Sequence, residues 1–168
     1  MTNTDTKKNY DQQTIESFGQ EWQKFDQKNL SEYEIHKLFD KYFNIFPWSK
    51  ISDNSIGFDM GCGSGRWAKI VAPKVGHLNC IDPAAGAIEV TKKALSQNQN
   101  VTFLNASIDN VSIRENSQDF GYSLGVLHHI PDTQKALEAC INLLKPNAPF
   151  LLYLYSAEIF ISTKVGKL

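Results

Sequence analysis

The 168-residue sequence has no surplus of either charge: 17 Lys and Arg stand against 18 Asp and Glu, and neither sign gathers into a run. A basic face for nucleic acid or for an anionic lipid surface is therefore not expected, and a small molecule is the predicted partner. Cysteine is equally scarce. Cys62, Cys80 and Cys140 are odd in number and form no C-x-x-C pair, which predicts neither a disulfide framework nor a metal site and suits reduced thiols in a cytoplasmic protein. Long apolar runs are missing too. The longest, near Phe150 to Ile161, falls short of the roughly 20 residues of a membrane span. The opening MTNTDTKKNYDQQ has no apolar stretch of the kind a signal peptide carries. No internal repeat and no low-complexity tract appears.

What is present fits one domain with one core, at 42% hydrophobic and 11% aromatic content. Residues 1–12 carry no recurring apolar positions and are expected to be disordered, leaving 13–168 as a single domain. Within it, 13–50 read as helices. Ile15, Phe18, Trp22 and Phe25 recur at helical spacing, and Ser31 with Glu34 forms a capping-box signature ahead of EYEIHKLFDKYFNIF, which runs to Pro47. Residues 55–155 alternate short β-branched or aromatic runs (SIGFDM, HLNCID, VTFLNA, DFGYSLGVL, PFLLYLY) with helical patterns. The prediction is an α/β fold, a doubly wound and mostly parallel sheet of about five strands flanked by N-terminal helices. Residues 156–168 form a short tail.

The segment FDMGCGSGRWA, residues 58–68, places Gly61, Gly63 and Gly65 within five positions. A dinucleotide G-x-G-x-x-G would need glycine at 66, where Arg66 stands, and a P-loop would need Gly-Lys-Ser/Thr where Arg66, Trp67 and Ala68 stand. What remains is a G-x-G-x-G at a strand end, with an acid, Asp82, seventeen residues beyond Gly65. In open α/β sheets that is the crevice in which ligands bind. A tight turn without a ligand would need one or two glycines rather than three.

Taken together and in order, FDMGCGSGRWA, CIDPA and DFGYSLGVLHHIPD resemble the class I S-adenosylmethionine-dependent methyltransferases over about residues 56–155. The resemblance implies S-adenosyl-L-methionine as cofactor and a Rossmann-like core. It implies that Asp82 accepts both ribose hydroxyls, a charge-assisted arrangement, with Pro83 beside it, although Asp82 could equally cap the following helix with Pro83 at its first position. Gly61, Cys62 and Gly63 are expected to lie against the methionine moiety. Unpaired N–H groups of the next helix would face its carboxylate, and Asp59 would orient its ammonium. Arg66 either pairs with that carboxylate or is a solvated first-turn residue. An acid usual beside the adenine is replaced by Ser107, so Ser107 and the Ile108 backbone, with Asp109 as a near alternative, are the implied adenine contacts. Leu124 and Gly125 are expected to pass close by their backbone.

The reaction implied is an in-line displacement at a methyl carbon, with most acceleration available from alignment and exclusion of water. His128 and His129 follow the fourth strand. Either could deprotonate an acceptor; the blander alternative is that they line the cofactor wall or cap the helix near Asp132. The Phe18, Trp22, Phe25 stripe packs, or closes as a lid. Relatives usually continue through another helix and an antiparallel hairpin, for which thirteen residues after Tyr155 are too few. The fifth strand is then an exposed edge, and the expectations are a covering tail, a homodimer across that edge, or a shortened form of a longer enzyme. The alternatives to transfer to an unidentified small-molecule acceptor are a non-catalytic cofactor-binding remnant and, further off, a nicotinamide oxidoreductase.

Overall fold

A computed structural model describes residues 9–24 and 31–155. Asn9 is buried at 5% exposure and its side chain is bonded to both the carbonyl and the N–H of Asp132; of the segment 1–12, residues 1–8 lie outside the described residues. Helices α1 (Gln12–Lys24) and α2 (Glu32–Phe43) precede the sheet. The capping box of α2 forms as expected: the Ser31 N–H donates to Glu34 Oε2 at 2.9 Å and the Glu34 N–H to Ser31 Oγ at 3.3 Å. Phe25 lies outside the described residues, so the aromatic stripe is not tested as a unit.

Five parallel strands follow: β1 (Ile56–Met60), β2 (His77–Asp82), β3 (Val101–Asn105), β4 (Phe120–Leu124) and β5 (Phe150–Tyr153), in the order β3-β2-β1-β4-β5. The reversal of strand order between β1 and β4 creates the crevice that the strand-end glycines predict. Helix α3 (Ala68–Val71) follows β1, α4 (Ala85–Ala94) follows β2 and α5 (Thr133–Leu143) precedes β5. The predicted α/β architecture, a doubly wound and mostly parallel sheet, is thus observed, with all five strands parallel.

Each sheet face has its own core. Alternation along β1 sends Phe58 and Met60 to the face that α5 covers with Ala136, Cys140 and Leu143. The opposite face packs Leu78, Cys80, Phe120 and Tyr122 against Phe39, Phe43, Trp67 and Val71 of the helices. Two glycines make the central pairing close: a Cβ on Gly57 would stand 2.3 Å from the Phe120 ring and one on Gly121 2.3 Å from the Phe58 ring. β5 lies at one end of the strand order; residues 156–168, where the expected short tail falls, are outside the described residues.

Candidate functional site

The carboxyl ends of β1, β2 and β4 meet at one cavity, bounded on the far side by Asn9, Tyr10, Asp11, Thr14 and Ile15. Its volume is ≈ 150 Å³ counted as space for the centre of a water molecule; one water needs about 10–15 Å³ on that measure, so the cavity is of organic-ligand size. Of the residues expected at the site, Gly61, Cys62, Gly63, Arg66, Asp82, Pro83, Ser107, Ile108, Leu124, Gly125 and His129 all line it. Asp59 and His128 do not.

The glycine loop is shaped by left-handed backbone and by protein neighbours. Gly61, Gly63 and Gly65 have φ of 79°, 54° and 75°, a region costly to residues with a Cβ. A Cβ on Gly61 would also sit 2.4 Å from Val126, and one on Gly65 2.9 Å from the Thr91 methyl. At Gly61 and Gly65 the space that a Cβ would need is filled by the chain itself. Residues 61–67 are spent on turns, with the Gly65 N–H donating to the Cys62 carbonyl at 2.8 Å. The helix is then only Ala68–Val71 before a 3-10 turn containing Pro73, whose ring nitrogen has no hydrogen to continue the ladder.

Asp82, at 8% exposure, joins two loops: its Oδ2 accepts the Gly63 N–H at 3.0 Å and its Oδ1 the Ala84 N–H at 2.9 Å. Burial raises its pKa, while those two N–H groups oppose the rise. A carboxylate offers about four acceptor positions, so capacity for a diol remains. The helix-cap alternative fails, because α4 begins at Ala85 with Ala84 as its cap residue and no side-chain cap bond. Pro83 lies outside the helix for the same reason.

Asp59 is at 2% exposure, behind the cavity and paired in register with Cys80 and Tyr122. Burial pushes its pKa up to about 8, with the nearby Tyr122 hydroxyl opposing. The two groups are neighbours without a hydrogen bond of ordinary geometry, since Asp59 Oδ2 and the Tyr122 hydroxyl both stay unpaired. Asp59 lies behind the lining of the cavity and not in it. The Cys62 thiol is also held protonated, by hydrogen bonding with Cys80 and then by burial.

The residues expected beside the adenine lie on a 3-10 turn (Ile108–Asn110) whose cap is Ser107, with the Ser107 hydroxyl donating to Asn110 Oδ1 at 3.1 Å. Asp109, the alternative, is outside the cavity lining and accepts the Asn9 N–H at 3.0 Å. His128 and His129 share a 3-10 turn (Leu127–His129). Their ring centroids are 4.0 Å apart, and His128 meets Tyr155 edge-on at 5.5 Å. Burial lowers both imidazole pKa values, and the neighbouring His129 charge lowers that of His128 further. Neither caps α5, whose cap is Asp132, accepting the Lys135 N–H at 2.9 Å. Arg66 reaches the cavity with its guanidinium 4.2 Å above the Trp67 ring, and burial lowers its pKa.

The segment 58–152 matches the methyltransferase domain family. The chain belongs to it. The resemblance to class I S-adenosylmethionine-dependent methyltransferases is thereby borne out. This methyltransferase domain is 30% identical over 121 residues to the human arsenite methyltransferase, covering 64% of this chain and 31% of that one. It is 25% identical over 163 residues to the ubiquinone biosynthesis O-methyltransferase of Idiomarina loihiensis, covering 83% of this chain and 63% of that protein. Among solved structures it overlays phosphoethanolamine N-methyltransferase 1 of Haemonchus contortus, in complex with phosphoethanolamine and S-adenosylhomocysteine. The TM-score there is 0.63 at 16% identity, over 78% of this chain and 30% of the other. The methyltransferase domain thus spans less than two thirds of these relatives' lengths. No helix among the described residues is long and apolar enough to cross a membrane.

Sequence reasoning passed over two residues that organise this site. Thr91 is fully buried and its hydroxyl donates to the Gly63 carbonyl at 2.7 Å. The signal was available, since a hydroxyl on the buried stripe Ala87, Ile88, Thr91 of α4 must find a partner. Asn9 had no such signal, lying in a stretch with no apolar recurrence.

Proposed function

We propose that the cavity binds S-adenosyl-L-methionine and that the chain transfers its methyl group to a small-molecule acceptor. The observation that carries this reading is Asp82: a buried carboxylate, fixed by the Gly63 and Ala84 N–H groups with acceptor positions to spare, at the edge of a cavity walled by left-handed glycines. A ribose diol supplies the two donors that such a group lacks. Pro83 and Ile108 offer apolar surface for a base, with Ser107 beside them. Gly61, Cys62 and Gly63 present backbone and a neutral thiol to the amino-acid end, and Leu124 and Gly125 close the β4 side. Arg66 stands where it would meet a carboxylate, and Asp59 acts from behind by shaping β1 rather than by contact. The cofactor, when bound, supplies an electrophilic methyl on a cationic sulfur. The residues of the chain bind, align and exclude water, which is worth up to about 7–11 kcal/mol in such reactions. His129, on the wall and neutral at physiological pH, is the residue placed to take a proton from an acceptor; His128 stands behind it.

Calorimetry with adenosylmethionine, adenosylhomocysteine and NAD tests the reading. Binding of the first two without the third is expected, and Asp82→Ala weakens both by about 1–3 kcal/mol through the unpaired diol. Binding of NAD alone, or unchanged affinity in Asp82→Ala, refutes it.

A further inference from the structure

The three cysteines are far apart in sequence, and the fold brings two of them together. Cys62, in the loop after β1, and Cys80, within β2, belong to the same core on one face of the sheet, while Cys140 lies in the core of the other face. Backbone bonds set the meeting. The Gly61 and Cys62 N–H groups both donate to the Ile81 carbonyl, at 2.8 and 3.0 Å, which ties the loop to the residue beside Cys80. The two thiols are free and are hydrogen-bonding neighbours. They differ in access: Cys62 lines the cavity, whereas Cys80 is fully buried and outside the lining. A reagent that enters the cavity meets Cys62 with Cys80 behind it, the arrangement of an attacking thiol and a resolving one.

The pair also stands where a displacement is felt. Cys62 Sγ is 3.6 Å from Thr91 Oγ1, and that hydroxyl holds the Gly63 carbonyl at 2.7 Å while the Gly63 N–H holds Asp82 at 3.0 Å. Cys80 is fixed in the sheet between Asp59 of β1 and Phe103 of β3. A disulfide brings its sulfurs to about 2 Å, closer than any hydrogen bond, so bridging draws the loop toward the strand and not the strand toward the loop.

We propose that Cys62 and Cys80 are a thiol-modification site, joined reversibly by exchange with a low-molecular-weight disulfide that enters the cavity, and that the bridge weakens cofactor binding. The weakening rests on the reading of the cavity as the adenosylmethionine site; the bridge does not. In the balanced step the Cys62 thiolate attacks one sulfur of the small disulfide and the other sulfur leaves as a thiolate. The Cys80 thiolate then attacks the Cys62 sulfur of the mixed disulfide, and the second small thiolate leaves. The chain gives up two electrons and two protons, which end on two small thiols. Cofactor and bridge oppose one another by the same factor, because the coupling between two sites is reciprocal.

Incubation of the full chain in buffers of 2-hydroxyethyl disulfide and mercaptoethanol, followed by mass spectrometry and calorimetry, tests both halves. Under oxidising buffers trypsin should release residues 51–66 linked to 75–92, the peptides that carry Cys62 and Cys80. Affinity for adenosylhomocysteine should fall about 5- to 150-fold and return on reduction with dithiothreitol, and saturating adenosylhomocysteine should move bridge formation to more oxidising buffers. Cys80→Ala should stop at one mercaptoethanol on Cys62. Absence of the link in native protein that binds adenosylhomocysteine, or a link that forms only in urea, overturns the proposal, as does a link that leaves the affinity unchanged or a mercaptoethanol adduct on Cys140 in place of Cys62. Failure of the reduced protein to bind adenosylhomocysteine overturns the cavity reading and the weakening, while the peptide map still decides the bridge.

Discussion

The Thr91 hydroxyl donates a 2.7 Å hydrogen bond to the Gly63 carbonyl, and the Thr91 methyl occupies the space in which a Cβ on Gly65 would fall. One buried side chain of α4 therefore holds both later glycines of the loop that follows β1. Thr91→Val keeps the shape but leaves the Gly63 carbonyl without this donor, at a cost of about 1–3 kcal/mol. Calorimetry should show weaker adenosylhomocysteine binding in Thr91→Val and recovery in Thr91→Ser. Equal affinity in all three proteins would show that the loop holds its form without the clamp.

Gly61→Ala meets two independent penalties, a φ of 79° and Val126 at 2.4 Å. The backbone term alone is worth about 1–2 kcal/mol. Thermal unfolding should fall for Gly61→Ala and recover only in part in the double variant with Val126→Ala, because removing the valine relieves the contact and not the dihedral. Complete recovery would mean that packing, and not backbone conformation, selects glycine here.

Asp59 makes stability depend on pH in an unusual direction. Its folded pKa of about 8 lies above the ordinary aspartate value of 3.8, so between those values the folded state holds a proton that the unfolded state has released. The stabilisation is complete below pH 3.8 and is lost as pH climbs to about 8, a change on the order of a few kcal/mol. Asp59→Asn removes the ionising group, and urea titrations from pH 5 to 8 should show a flatter profile with higher stability at the alkaline end. A slope identical to that of the parent protein would place the ionisation elsewhere.

Asn9 joins the start of the chain to the α5 cap, donating from Nδ2 to the Asp132 carbonyl at 2.9 Å and accepting the Asp132 N–H at 2.8 Å. Asn9→Ala forfeits both, at about 1 kcal/mol each. Hydrogen exchange across 9–24 should quicken and adenosylhomocysteine affinity should drop, because Asn9 to Ile15 form one side of the cavity. Unaltered exchange would show that α1 docks without this link.

Local chemistry was enough to read the strands, the helices and most of the cofactor side. Alternating β-branched and apolar runs announce β1 to β5, Ser31 with Glu34 announces the start of α2, and three glycines at a strand end with Asp82 beyond them announce the crevice. These are short-range properties, set by periodicity and by backbone freedom within a few residues. Which atoms occupy a glycine's missing side chain was not of that kind. Val126, two residues beyond β4, and Thr91 of α4 are distant in sequence, and only packing the sheet brings them to Gly61 and Gly65. The same holds for Asp59 and Asp82, two carboxyls of similar local context. Strand alternation turns Asp59 toward Tyr122 and buries it behind the site, while the bend after β2 leaves Asp82 at the cavity edge. The sequence by itself determined the elements and the crevice. The tertiary structure alone decided which acid lines the cavity, which histidine faces it, and that Asn9 is buried against Asp132, because burial and contact are properties of the assembled layers and not of any single segment.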